Sequence, residues 1–309
     1  MTPWSRIIDL GLEEDIGRGD VTSNALIPAG IEAEATFVAK QDLIVCGLPV
    51  VAEVFRRIDS RVRLLPEVSD GSGALPGNSI CDIRGPARAV MAGERLALNL
   101  MQNLSGVATL TRRFVDQVQG TGVRIADTRK TTPGMRWLQK YAVRVGGGVN
   151  HRMGLDDGFL IKENHITLAG GVKQAVRRAH AATSHLHRIE VECETLTNVR
   201  DALDAGAHVL LLDNMDLEAM REAVALVDGK ALLEASGNVT LDTVRAIAET
   251  GINMISVGAI THSAGSCDIS LLVDYKERSP FEGEESESQH AWDEAFHEHL
   301  SLPPGPDID

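Results

Sequence analysis

Beyond Gly120 the sequence alternates short apolar runs with amphipathic segments, and few folds accommodate that rhythm. Six strands are read: VRIAD (123–127), DGFLIKE (157–163), RIEVECE (188–194), HVLLLDN (208–214), ALLEASG (231–237) and MISVGAI (254–260). Helical segments such as LTNVRDALDAG, LEAMREAVALV and LDTVRAIAETG lie between them, the first and last closing on a glycine suited to a helix C-terminal cap. Strands bridged by helices run parallel, which leaves a doubly wound sheet or a small α/β barrel. The barrel is the better reading, because polar residues stand at the carboxyl end of every strand, where such barrels build their sites.

Those ends supply Asp127 with Arg129 and Lys130, then Lys162, Glu192 with Glu194, Asp213, Ser236 with Gly237, and Gly258. The stretch from Asp127 to His165 carries seven Lys or Arg against four acids, in a chain whose formal net charge is −14. An acidic protein that concentrates cations in one segment is expected to bind an anion there, the alternative being solvated helix faces. Residues 276–309 hold ten acids and two bases, in a Glu/Ser run followed by prolines. That composition predicts a mostly disordered appendage, with AWDEAFHEHL as a docking helix the second reading. A pI near 5.2 argues against general nucleic-acid binding. No run reaches a membrane span and no secretory leader is read, so a cytoplasmic location is expected. The four cysteines lack CxxC spacing and read as reduced, buried thiols.

The first region reads differently. EATFVAK, LIVCG, VRLLPEV, SICDI and ARAVMA look like strands, interrupted by the helical spacing of PVVAEVFRRID, which gives an α+β sandwich. It is preceded by a helix, IIDLGLEEDI, and a turn, GRGDVTS. One or two long helices from GERLALNLMQNLSGVATLTRRFVDQV then lead to the barrel, with Arg95 near their start.

At the barrel mouth, Ser236, Gly237 and Asn238 are placed just before a helix, where free amides suit a phosphate, and Gly258 lets backbone approach a ligand. Plain capping turns are the alternative. Glu192 and Asp213 suit Mg²⁺, directly or through water, or else salt bridges to neighbouring cations. His151 and Arg152 add donors for a carboxylate.

EDIGRGDVTS, NLSGVATLT, DTRKTTPGMRWLQKYAV, GGGVNHRMGLDDGFLIKENH, VECETL, LLLDNM, EASGN and ISVGAITHS, in this order, closely resemble the quinolinate phosphoribosyltransferases over residues 8 to 275. The resemblance implies an amino-terminal α+β open-faced sandwich (1–115, completed by about 262–275), an incomplete six-stranded α/β barrel (116–261) and a tail (276–309) outside the family's usual extent. It implies a head-to-tail homodimer in which each sandwich covers the partner's barrel. It further implies that quinolinate accepts a phosphoribosyl group from phosphoribosyl pyrophosphate, with Mg²⁺, giving nicotinate mononucleotide, pyrophosphate and CO₂ in NAD synthesis. Matched by motif, Arg95, Arg129, His151 and Arg152 resemble the quinolinate-carboxylate binders, Arg95 reaching in from the other subunit. Lys130 and Lys162 resemble the lysines on quinolinate and pyrophosphate. Glu192 and Asp213 resemble the acids near Mg²⁺ and ribose, with Glu194 in support, and Ser236, Gly237, Asn238 and Gly258 the 5′-phosphate loops. Three other readings stay open on residues alone: a related phosphoribosyltransferase for another anion, of the molybdenum-operon kind, a Schiff-base aldolase using Lys162, and a non-enzymatic binding protein.

Overall fold

The computed structural model describes residues 2–274, so the acidic tail lies outside the described residues. The first part runs α1 (Ser5–Ile16), α2 (Val21–Leu26), β1 (Glu32–Ala39), β2 (Leu43–Ile44), α3 (Leu48–Ile58), β3 (Arg63–Pro66), β4 (Gly73–Ala74), β5 (Ser79–Pro86) and α4 (Ala87–Gln117). Along β1 every second residue is buried, Ala33, Ala35, Phe37 and Ala39, so the strand turns one apolar face to the core beneath α4 and the other outward.

Two segments differ from expectation. ARAVMA is the first turn and a half of α4, not a strand: Pro86 ends β5, and Ala87, Val90, Ala97, Met101 and Leu104 continue a helical spacing of buried residues through a single 31-residue helix. GRGDVTS is not simply a turn, because the Asp20 carboxylate accepts from the Ser23 amide at 2.9 Å and caps the short helix α2. Glycine is required once on α4: a Cβ on Gly106 would fall 2.0 Å from the Gly265 carbonyl oxygen, so the chain after the barrel crosses the helix at backbone contact.

The second part runs β6 (Arg124–Ala126), α5 (Arg136–Val145), β7 (Phe159–Ile161), α6 (Glu163–Ala169), α7 (Val172–Ala182), β8 (Ile189–Cys193), α8 (Leu196–Asp204) and β9 (Val209–Asp213). It continues through α9 (Leu217–Val227), β10 (Leu232–Ser236), α10 (Val244–Ala248), β11 (Met254–Ser256) and α11 (Ala259–His262) to β12 (Ile269–Asp274). The last strand returns to the first sheet, whose order is β12-β1-β5-β3.

The six barrel strands are parallel in the order β6-β11-β10-β9-β8-β7. Every sequential pair lies adjacent except β6 and β7, so the barrel is open at one seam. The cationic stretch fills that seam: Val149 bridges to Ala126 beside β6, and α5 packs on α4 behind it.

Strand register divides the side chains into two faces. Ile189, Val191, Cys193, Leu210, Leu212, Ala235 and Ile255 are fully buried on the side covered by helices, each larger one contributing ~1.5–3 kcal/mol by burial. The alternate positions, Glu190 and Glu192 on β8, Leu211 and Asp213 on β9, and Glu234 and Ser236 on β10, share the inner face. An inner face this polar marks a site that continues down into the barrel.

Candidate active site

At the seam, Asp127 is a fully buried anchor. Its carboxylate accepts from the Lys140 ammonium, from Asn150 Nδ2 at 2.6 Å and from the His151 amide at 2.9 Å. Lys140 Nζ also donates to the His151 carbonyl at 2.8 Å. Burial pushes the Asp127 carboxyl up and the Lys140 ammonium down, and each charge opposes that drift in the other. Lys140 is thus a strut of the loop, although charge counting placed it among the anion-binding cations.

The loop so held presents two arginines. Arg152 donates Nη1 to the Gly158 carbonyl at 2.9 Å. The Nε atoms of Arg129 and Arg152 are both buried and without a partner among the described residues, and Arg129 lowers the pKa of Arg152, after burial the largest effect on it. Two guanidiniums held near one another with unused donors fit a planar dianion, which they could grip through paired N–H···O bonds. Lys130 is exposed, its carbonyl held by Thr261 Oγ1 at 2.8 Å. A Cβ on Gly258 would stand 3.1 Å from Lys130 Cδ, so this lysine lies across the second residue after β11.

Facing these cations are the carboxylates. Lys162 Nζ donates to Glu192 Oε2 at 2.7 Å. Glu192, Glu194 and Asp213 each offer an oxygen within 4.8 Å of the others, a set of hard donors at the mouth that fits Mg²⁺.

The loop after β10 departs from expectation. Ser236, Gly237 and Asn238 do not adjoin a helix N-terminus, since α10 starts only at Val244 and Thr240 and Thr243 close an intervening turn through a 3.0 Å bond. The loop is shaped instead by Asn214, with φ 54°, whose side chain meets Asp213 Oδ2 at 3.0 Å and Asn238 Nδ2 at 3.3 Å. Gly258 directly precedes α11.

His151 also differs from the role read for it. Its Nε2 lies 3.0 Å from Glu190 Oε2 and 3.9 Å from Glu234 Oε1, and its Nδ1 accepts from the Arg152 amide at 2.7 Å. Both ring nitrogens are engaged within the protein, so the ring offers no free N–H to the mouth. Glu190, Glu234 and Asn214 were not singled out by sequence. The alternation in RIEVECE was a signal for Glu190, because it puts residues 190, 192 and 194 on one face.

Burial and the neighbouring Glu190 push Glu234 from the ordinary 4.5 up to about 7. A carboxyl whose pKa rises on folding stabilises the fold below its unfolded value and loses that contribution as pH climbs through the folded one. Glu234→Gln should therefore match the parent at pH 4.5 and exceed it in thermal stability at pH 8, by up to ~3 kcal/mol. Paired melting curves at the two pH values check this.

Arg95 is not brought to this mouth within the chain. It is exposed on α4, and its neighbours Gly93 and Leu96 pack against α3 and α1. Among the described residues no helix is long and apolar enough to cross a membrane.

Family models for the quinolinate phosphoribosyl transferase N-terminal and C-terminal domains match residues 20–105 and 107–272. The chain is 44% identical over 260 residues to the probable nicotinate-nucleotide pyrophosphorylase (carboxylating) of Bacillus subtilis, covering 84% of this chain and 90% of that protein. It is 42% identical to the chloroplastic nicotinate-nucleotide pyrophosphorylase (carboxylating) of rice, over 87% of this chain and 77% of that one. The solved structure of the nicotinate-nucleotide pyrophosphorylase from Francisella tularensis superposes with a TM-score of 0.85 at 39% identity, over 89% of this chain and 98% of that one.

Proposed function

The chain belongs to the quinolinate phosphoribosyltransferase family, and from its site we propose how it carries out that family's decarboxylating phosphoribosyl transfer. The observation that carries the reading is the unused Nε donors of the neighbouring Arg129 and Arg152, together with the Lys162–Glu192 pair at the barrel mouth. Quinolinate is a planar dicarboxylate, and the two guanidiniums grip and orient it. Phosphoribosyl pyrophosphate lies across the carboxylates and the loop after β10, its 5′-phosphate against Ser236, Gly237, Asn238 and Gly258. Lys130 and Lys162 face the pyrophosphate, and the ribose hydroxyls meet Asp213 and Glu192.

As the C1–pyrophosphate bond lengthens, ribose becomes oxocarbenium-like and negative charge gathers on the leaving group, where the lysines stabilise it. Glu192, Glu194 and Asp213 would hold Mg²⁺, which would supply further positive charge there. The quinolinate ring nitrogen forms the new bond to C1. The bond from the adjacent ring carbon to its carboxylate then breaks, its electrons passing toward the cationic ring as CO₂ departs and a proton takes its place. Pyrophosphate and CO₂ released in equal amounts from quinolinate, phosphoribosyl pyrophosphate and Mg²⁺ test the reading, and transfer to nicotinate instead would overturn it.

Two more outcomes are expected. A Cβ on Gly237 would fall 2.2 Å from Asn214 Oδ1 at φ 100°, so Gly237→Ala should displace the loop and raise the KM for phosphoribosyl pyrophosphate ~10-fold or more, with quinolinate little affected. In a homodimer that lends Arg95 to the opposite barrel, inactive Arg95→Ala and Lys162→Ala subunits complement each other. Random reassortment should restore about a quarter of parental activity, since half the dimers gain one intact site of two. If Arg95 acts within its own chain, the mixture stays inactive.

A further inference from the structure

Glu190 lies one inner-face position deeper in the barrel than Glu192, about 7 Å below the mouth. It is 8% exposed, Glu234 beside it is 3% exposed, and an Oε1 of each lacks a partner. Both carboxylates are placed on His151, whose backbone amide and carbonyl are already fixed by Asp127 and Lys140. The ring closes the remaining link. For Nδ1 to accept from the Arg152 amide it must carry no proton, so the proton of the neutral imidazole sits on Nε2, where Glu190 Oε2 takes it as a hydrogen bond.

We infer that Glu190, backed by Glu234, is a positioning residue for quinolinate binding: it locks His151 in the Nε2–H tautomer, and Nδ1 in turn holds the Arg152 backbone so that the guanidinium meets the substrate. A histidine oriented from behind by a carboxylate is a recurrent way of fixing tautomer and ring angle together. Here the group being aimed is the next residue in the chain. Among the described residues the Arg152 side chain has one hydrogen bond, to Gly158, and the bond from its backbone amide to His151 Nδ1 is the second constraint on where it stands. The inference rests on the proposed role of Arg152, so its test includes a part that does not.

Histidine-selective ¹⁵N labelling of the unliganded protein at pH 8.5 should show the resonance absent from His151→Gln as a neutral ring protonated at Nε2. A ring protonated at Nδ1, or one exchanging between tautomers, overturns the lock without touching the functional reading. In steady-state kinetics Glu190→Ala should raise the quinolinate KM about tenfold, while kcat and the KM for phosphoribosyl pyrophosphate move less than about threefold. Glu190→Gln, which keeps an acceptor oxygen, should recover most of that loss. An unchanged quinolinate KM in Glu190→Ala overturns the inference. So does an equal rise in the KM of both substrates, the mark of a merely structural role. Should Glu190→Ala not fold, Glu190→Gln decides: a quinolinate KM tenfold above the parent's, with the tautomer intact, contradicts the relay. No turnover of quinolinate by the parent would instead overturn the proposed function and leave the tautomer result standing.

Discussion

Lys162→Ala is expected to fold as the parent does and to lose about 10²–10³-fold in kcat, with a smaller change in quinolinate KM. The side chain is about half exposed, and among the described residues it pairs with Glu192, so the fold has little at stake in it. Chemistry has much more. Negative charge on the departing pyrophosphate grows between ground state and transition state, and a fixed ammonium at a strand end stabilises it without reorganising. A loss confined to KM would mean that Lys162 binds both states equally, and the role would have to move to Lys130. Loss of Lys162 also leaves Glu192 without its cation, beside the Glu194 and Asp213 carboxylates. The variant should accordingly demand less Mg²⁺ for its residual activity, which a titration of rate against Mg²⁺ measures. Retention of near-parental turnover would remove Lys162 from the mechanism.

The parts of this site that were legible in the sequence are those written by strand periodicity. Lys162, Glu192, Asp213 and Ser236 stand within one residue of the ends of β7 to β10, and that position follows from alternation plus the rule that parallel barrels use their carboxyl ends. The same alternation carries Glu190 and Glu234, but reading only strand ends concealed how far down the polar face extends. What could not be read was pairing across distance. Asp127 and Lys140 are thirteen residues apart, and nothing local says that they neutralise each other in the interior. Charge counting therefore assigned to an anion site a lysine that belongs to the core. His151 shows the same limit, because its neighbour Arg152 suggested a shared substrate while its ring is claimed by β8. The misread start of α4 has another cause: ARAVMA alternates well enough for a strand over six residues, and only the continuing buried spacing to Leu104 identifies a helix.

The largest stability effect should come from that interior pair. Lys140 is 1% exposed and Asp127 fully buried, so Lys140→Met leaves a carboxylate in a low-dielectric interior with only Asn150 and the His151 amide for support. Breaking a buried pair from one side costs ~3–5 kcal/mol, enough to lower Tm by about 10 °C in a chain of this size. The double variant Asp127→Asn/Lys140→Met removes the uncompensated charge, and the carboxamide oxygen it introduces can still accept from the His151 amide. It should therefore recover more than half of the loss, a non-additivity that thermal or denaturant unfolding reads directly. Activity should not recover with it. Lys140 also holds the His151 carbonyl, and the loop from Gly146 to Gly158 is tied to β6 through Asp127 and Val149. A double variant that is stable but weak in quinolinate binding would separate the two duties of the pair, holding the seam of an open barrel and holding Arg152 in register with its substrate. Full recovery of both would mean that Asp127 and Lys140 serve the fold alone.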